Sequence, residues 1–122
     1  MARILVVEDN PTNMALVAFL LESAGHAVLT ATNAEGAIAL ARSELPELIL
    51  MDIQLPGMDG LQAVALLKRD EATRSIPVID LTALAMKGDE ERMLAAGCDG
   101  YIAKPMRYKE FLATIKSQLE AP

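Results

Sequence analysis

The sequence predicts an α/β fold, a doubly wound (βα)5 domain whose five-stranded parallel sheet carries helices on both faces. Short runs such as ILVV, LILM and VIDL are apolar at consecutive rather than alternate positions, as strands covered on both sides are. Between them lie stretches whose apolar residues recur at helical spacing, and Gly, Pro and Asn punctuate the joins.

The first strand is Ile4 to Val7, and a helix follows from Pro11 to Ala24, with Met14, Val17, Leu21 and Ala24 on one stripe and Gly25 as its stop. Ala27 to Thr30 is the second strand. Asn33 caps the next helix, which places Ala34, Ile38, Ala41 and Leu45 on one face and ends at Pro46. The third strand runs from Leu48 to Met51, and the loop IQLPGMDG leads into a helix over Leu61 to Lys68. Pro77 opens the strand Val78 to Leu81. Gly88 and Asp89 open a helix that stops at Gly97, and the charge run Asp89, Glu90, Glu91, Arg92 puts acids in its first turn, which suits the positive end of a helix dipole. Tyr101 to Ala103 is the fifth strand and Tyr108 to Leu119 the last helix, with Phe111, Leu112, Ile115 and Leu119 facing inward. Residues 1–122 read as a single domain, with nothing left for a linker or an output domain.

Composition narrows the function. A net charge of -6, with two Phe, two Tyr and no Trp, disfavours direct contact with nucleic acid and suits metal cations or basic protein surfaces. No apolar run approaches the roughly 20 residues of a membrane span, and MARILVVEDN does not resemble a signal peptide, so a cytoplasmic protein without membrane insertion is expected. The lone Cys98 reads as a small buried hydrophobe and the lone His26 as a surface residue. Met58 and Met86 read chiefly as gap-fillers beside the loops.

Open α/β sheets bind ligands beyond the carboxyl ends of their strands. Glu8 and Asp9 follow the first strand, Asp52 the third, Thr82 the fourth, and Lys104 with Pro105 the fifth. Three carboxylates brought together repel one another, and a divalent cation relieves that. Oxygen ligands without His or Cys nearby point to Mg²⁺, with Mn²⁺ as a substitute. Beside such a metal one carboxylate can attack phosphorus, Lys104 can neutralise charge on the transferring oxygens and Thr82 can donate to one of them. Spacing alone leaves open whether Asp52 or Asp9 is the nucleophile.

The segments VVEDN, LILMDIQLPGMDG, LTA and YIAKP resemble the receiver domains of two-component response regulators, with the CheY-like fold, across essentially the whole chain. The resemblance implies that Asp52 accepts a phosphoryl group, that Glu8, Asp9, Asp52 and the backbone carbonyl of Gln54 hold Mg²⁺, and that Lys104 contacts the phosphate. It further implies that Thr82 is the switch hydroxyl, that Tyr101 turns inward with it, and that the Lys104–Pro105 bond is cis. The implied phosphoryl source is a phosphohistidine on a histidine kinase or phosphotransfer protein. The output is then altered contact with a downstream protein through the β4α4 and β5α5 surfaces, by a monomer or weak dimer that promotes only its own phosphorylation and dephosphorylation. Gln54 and Leu84 flank the path of attacking water and are expected to tune the lifetime of the acyl phosphate.

Two other readings compete. A Mg²⁺-dependent phosphohydrolase with an Asp nucleophile would want a second acid just after it, where this chain has Ile53 and Gln54. A flavodoxin-like cofactor binder would want a glycine- and hydroxyl-rich loop after the first strand, where this chain has EDNPTN. Asp80 fits neither these nor the phosphoryl site. It lies among Val78, Ile79 and Leu81, on the face of Thr82, and is expected to be buried with a raised pKa, reaching a backbone donor, a water or a gap between helices; the alternative is a hydrogen bond to Thr82 that biases the switch.

Overall fold

The computed structural model describes residues 2–52, 55, 57–58, 60–82, 87–103 and 107–120. Five βα units follow one another: β1 (Arg3–Val7), α1 (Pro11–Ser23), β2 (Ala27–Ala31), α2 (Ala34–Glu44), β3 (Leu48–Asp52), α3 (Gly60–Arg69), β4 (Val78–Thr82), α4 (Lys87–Ala96), β5 (Gly100–Ala103) and α5 (Tyr108–Glu120). The strands form one parallel sheet in the order β2-β1-β3-β4-β5.

The central strands β1, β3 and β4 bury both faces, as their unbroken apolar runs require, while the edge strand β2 is partly exposed. Ile4, Val6, Leu48, Leu50, Ile79 and Leu81 pack with Val17 and Leu21 of α1 and Phe111 and Ile115 of α5. Leu5, Val7, Ile49, Met51 and Val78 pack on the other side with Ala34, Ala37 and Ala41 of α2, Ala63, Val64 and Leu67 of α3 and Met93 of α4. Alternation along a strand assigns every remaining strand residue to one of these faces.

Helix starts follow their caps. Asn10 Oδ1 accepts the Asn13 N–H at 3.0 Å, with Pro11 in the first turn, and Asn33 Oδ1 accepts the Gly36 N–H at 2.7 Å. Two expectations of a shared helix face are corrected at helix ends: Ala24 lies beyond α1 as its C-cap and is exposed rather than on the stripe of Val17 and Leu21. Leu45 lies beyond α2 in a left-handed conformation (φ 45) with its side chain exposed, while its N–H still bonds the Ala41 carbonyl. Pro46 has no N–H to continue the helix, so the chain turns away before Leu45 can join the buried stripe. His26 is half-buried, and its Nδ1 accepts the Ala2 N–H at 3.1 Å, which ties the start of the chain to β2.

The amino-terminal edge of the sheet is clamped by one lysine. Lys68 Nζ donates to the Ile76 carbonyl at 2.9 Å, to the Arg74 carbonyl at 3.3 Å and to Asp99 Oδ2 at 2.9 Å. Asp99 Oδ2 also accepts the Val78 N–H at 2.8 Å, so α3, the start of β4 and the turn before β5 meet at a single ammonium. Gly97 leaves room for the lysine stem: its φ is +105, and a Cβ there would come within 2.9 Å of Lys68 Cγ. Replacing Lys68 by Met keeps the stem and removes the three donors, and should lower stability by about 2–3 kcal/mol in urea denaturation.

Candidate functional site

From β1 the chain moves outward to β2, then returns past β1 to build β3, β4 and β5 on its other side. At that reversal α1 leaves for one face of the sheet and α3 for the other, which opens a crevice between the carboxyl ends of β1 and β3. Val7 is in register with Met51, so the residues that follow, Glu8 and Asp52, stand level across the crevice. Carboxylate oxygens of Glu8, Asp9 and Asp52 all lie within 4.8 Å of one another.

Local hydrogen bonding explains how the chain tolerates this. The Glu8 N–H extends the β1–β2 ladder to the Ala31 carbonyl at 3.1 Å, while the Glu8 carboxylate turns back to accept the Asn10 N–H at 3.2 Å. Because Asn10 also caps α1, the turn that starts the helix is the turn that holds Glu8 in place. Glu8 and Asp52 are buried, and Asp9 is exposed at the crevice mouth. Two such charges at this separation repel by about 3–4 kcal/mol at an effective dielectric near 20. A hard cation with oxygen preference fits the donor set, since the cluster holds carboxylates alone and is open on the Asp9 side.

Thr82 ends β4, is fully buried, and lies one residue beyond Leu81, the register partner of Asp52. It therefore reaches the same edge of the sheet. Tyr101 is in register with Asp80, further from that edge, and is 40% exposed. Met58 is half-buried against the cluster beneath α2 and α3, as a gap-filler would be. Gln54, Leu84, Met86, Lys104 and Pro105 lie outside the described residues.

Asp80 is fully buried, and the structure supplies a partner that no local pattern signals. The Cys98 S–H donates to Asp80 Oδ2 at 2.7 Å, while Asp80 Oδ1 has no hydrogen-bond partner among the described residues. Burial raises the carboxyl from 3.8 to about 7; the thiol bond opposes that rise, and the negative charge of Asp52 adds to it. Burial likewise pushes the Cys98 thiol up, with Asp80 adding to the effect, so Cys98 is a buried and unreactive donor. Eighteen positions separate the two residues, and from sequence Cys98 resembles any small core residue.

Residues 4–116 match the response regulator receiver domain. The polar-differentiation response regulators DivK of Brucella anthropi and Brucella ovis are each 49% identical over 116 residues, covering 95% of this chain and 94% of theirs. Among solved structures, the receiver domain of a Pseudomonas aeruginosa sensor histidine kinase, with a magnesium ion coordinated in its active-site cleft, has a TM-score of 0.92 at 35% identity over 98% of both chains. The chemotaxis protein CheY4 of Vibrio cholerae has a TM-score of 0.91 at 26% identity, over 96% of this chain and 98% of its own.

The Asp80 carboxyl sets a pH dependence of stability. Below pH 3.8 it is protonated in the folded and unfolded chain alike; between 3.8 and about 7 only the folded form keeps the proton. Stability should therefore fall with rising pH across that window by about 1 kcal/mol per unit and level off above it. Asp80→Val should remove this component. Urea titrations from acid to neutral pH should show the variant gaining on the parent protein through the window, by at least about 2 kcal/mol at its upper end.

Proposed function

The chain belongs to the response regulator receiver domains of two-component signalling, and we propose that Asp52 is its phosphoacceptor. The observation that carries this is the position of Asp52 at the end of β3, in a crevice where it shares a cluster with Glu8 and Asp9. Of the three acids, Glu8 is engaged by the turn that starts α1 and Asp9 stands exposed at the mouth. Asp52 is fixed by a central strand and faces the interior of the crevice, where a nucleophile is best aligned.

In this reading an Asp52 carboxylate oxygen attacks the phosphorus of a phosphohistidine. The O–P bond forms as the N–P bond breaks, and the imidazole leaves on the donor and takes up a proton. Glu8, Asp9, Asp52 and the backbone carbonyl of Gln54 would hold Mg²⁺, with Mn²⁺ able to replace it; the cation would neutralise charge on the phosphoryl oxygens. A magnesium ion in the cleft of the Pseudomonas aeruginosa neighbour supports this. Lys104 pairs with the phosphoryl group, Thr82 donates a hydrogen bond to it, and Tyr101 turns inward from its exposed position as Thr82 moves.

The phosphoryl donor is a histidine kinase or a phosphotransfer protein, and a docking surface lies close by. Helix α1 begins beside Glu8 and Asp9, has Glu22 as its one ionisable side chain, and exposes Leu16 (47%) and Phe19 (67%) to solvent. Output is carried by protein contacts of the β4α4 and β5α5 surfaces of a single domain. The match over 94% of the length of DivK supports that economy. The domain acts as a switch that assists its own phosphorylation and dephosphorylation, in the cytoplasm, as a monomer or weak dimer; among the described residues no helix is long and apolar enough to cross a membrane.

Asp52→Asn should abolish labelling by a small phosphodonor such as acetyl phosphate, and the label on the parent protein should be released by hydroxylamine, as an acyl phosphate is. Persistent labelling of the variant refutes the assignment. Chelation of divalent cations should stop labelling, and Glu8→Gln should weaken Mg²⁺ binding by about tenfold or more in calorimetry. Thr82→Ala removes one hydrogen bond to a charged group, worth about 1.5–3 kcal/mol, and should slow labelling by roughly 10- to 100-fold.

A further inference from the structure

We propose that Asp80 is a positioning residue for Thr82: when its carboxyl ionises, the unpartnered Oδ1 draws the Thr82 hydroxyl down the strand and slows phosphoryl acceptance at Asp52. The proposal rests on the reading of Thr82 given above, and it starts from a placement the phosphoryl site does not use. Val78, Asp80 and Thr82 share one face of β4, because Ile79 and Leu81 belong to the cluster on the other. Asp80 and Thr82 are both fully buried, one pleat apart, and side chains on a strand lean along its direction.

An ionised Asp80 has few ways to satisfy its charge. Among the described residues Oδ2 is held by a thiol, a weak donor, and Oδ1 by nothing. The charged groups around the pair offer no counter-ion among the described residues. From β3, Asp52 lies on the opposite face of the sheet, that of Leu48 and Leu50, and repels the charge. From the turn before β5, Asp99 is also an acid; from α3, Lys68 acts on the thiol but is committed to the Arg74 and Ile76 carbonyls and to Asp99. The β5 register partner is Tyr101, which is exposed, and in α4 Glu91 and Arg92 are exposed. The Thr82 hydroxyl is the side-chain donor on the same strand face.

The protonated carboxyl makes no such demand, and a carboxyl brought to about 7 exchanges between the two states near neutral pH. The coupling runs both ways. Ionised Asp80, by holding the Thr82 hydroxyl away from the crevice, opposes the phosphorylated state, and a phosphoryl group that engages Thr82 in turn favours the protonated carboxyl. The device lies outside the metal cluster and needs no change in it.

The test follows both residues by NMR, observing the Asp80 carboxyl carbon and the Thr82 methyl group through neutral pH, with acetyl phosphate labelling measured in parallel. The Thr82 signal is expected to titrate with the same midpoint as Asp80 and to lose that titration in Asp80→Asn. Relative to Asp80→Asn, the labelling rate of the parent protein should fall several-fold as pH rises through the midpoint. A Thr82 signal indifferent to the Asp80 titration, or one that titrates unchanged in Asp80→Asn, overturns the proposal. Cys98→Ala provides a second variant, because loss of the thiol bond should move the shared midpoint upward; a shift at one residue alone overturns the coupling. Absence of labelling at every pH refutes Asp52 as phosphoacceptor and is read in the rates alone, separately from the Thr82 titration.

Discussion

Mutual repulsion among Glu8, Asp9 and Asp52 is the interaction around which the domain is arranged, because side chains that would separate in water are held within 4.8 Å. What holds them is the apolar framework of β1 and β3, whose residues from Ile4 to Val7 and from Leu48 to Met51 are inaccessible to solvent. Burial of that surface, at about 25 cal/mol per Å², is a large term against which a few kcal/mol of electrostatic strain is small. The central strands thus hold a local charge conflict that a cation can relieve.

The same framework explains why the site lies where it does. A parallel sheet built outward from β1 in two directions must send neighbouring helices to opposite faces, and in the crevice between them acidic side chains from the ends of two central strands meet. The asparagine that starts α1 also braces Glu8, so a substitution at Asn10 would disturb helix and site together.

The fold was legible because its signals are local and repeated. Unbroken apolar runs mark buried parallel strands, and Asn33, Pro11 and Gly97 sit where caps and stops belong, so element ends agree to within a residue or two. The acids were legible for a different reason: the topology brings successive strand ends to one edge whatever lies between them. Leu45 was misplaced because helical spacing does not register where Pro46 ends the helix. The Asp80–Cys98 contact and the Lys68 clamp were invisible, since each joins residues distant in sequence through ordinary side chains. Asp80 could be recognised as out of place; its partner could be found only in three dimensions.

The Lys68 clamp has a mechanical consequence for the switch. One ammonium pins α3, the first residue of β4 and the turn into β5 at the edge of the sheet opposite the crevice. With that end fixed, the starts of β4 and β5 keep their places relative to α3, and Thr82, which ends β4, is the residue of that strand furthest from the clamp.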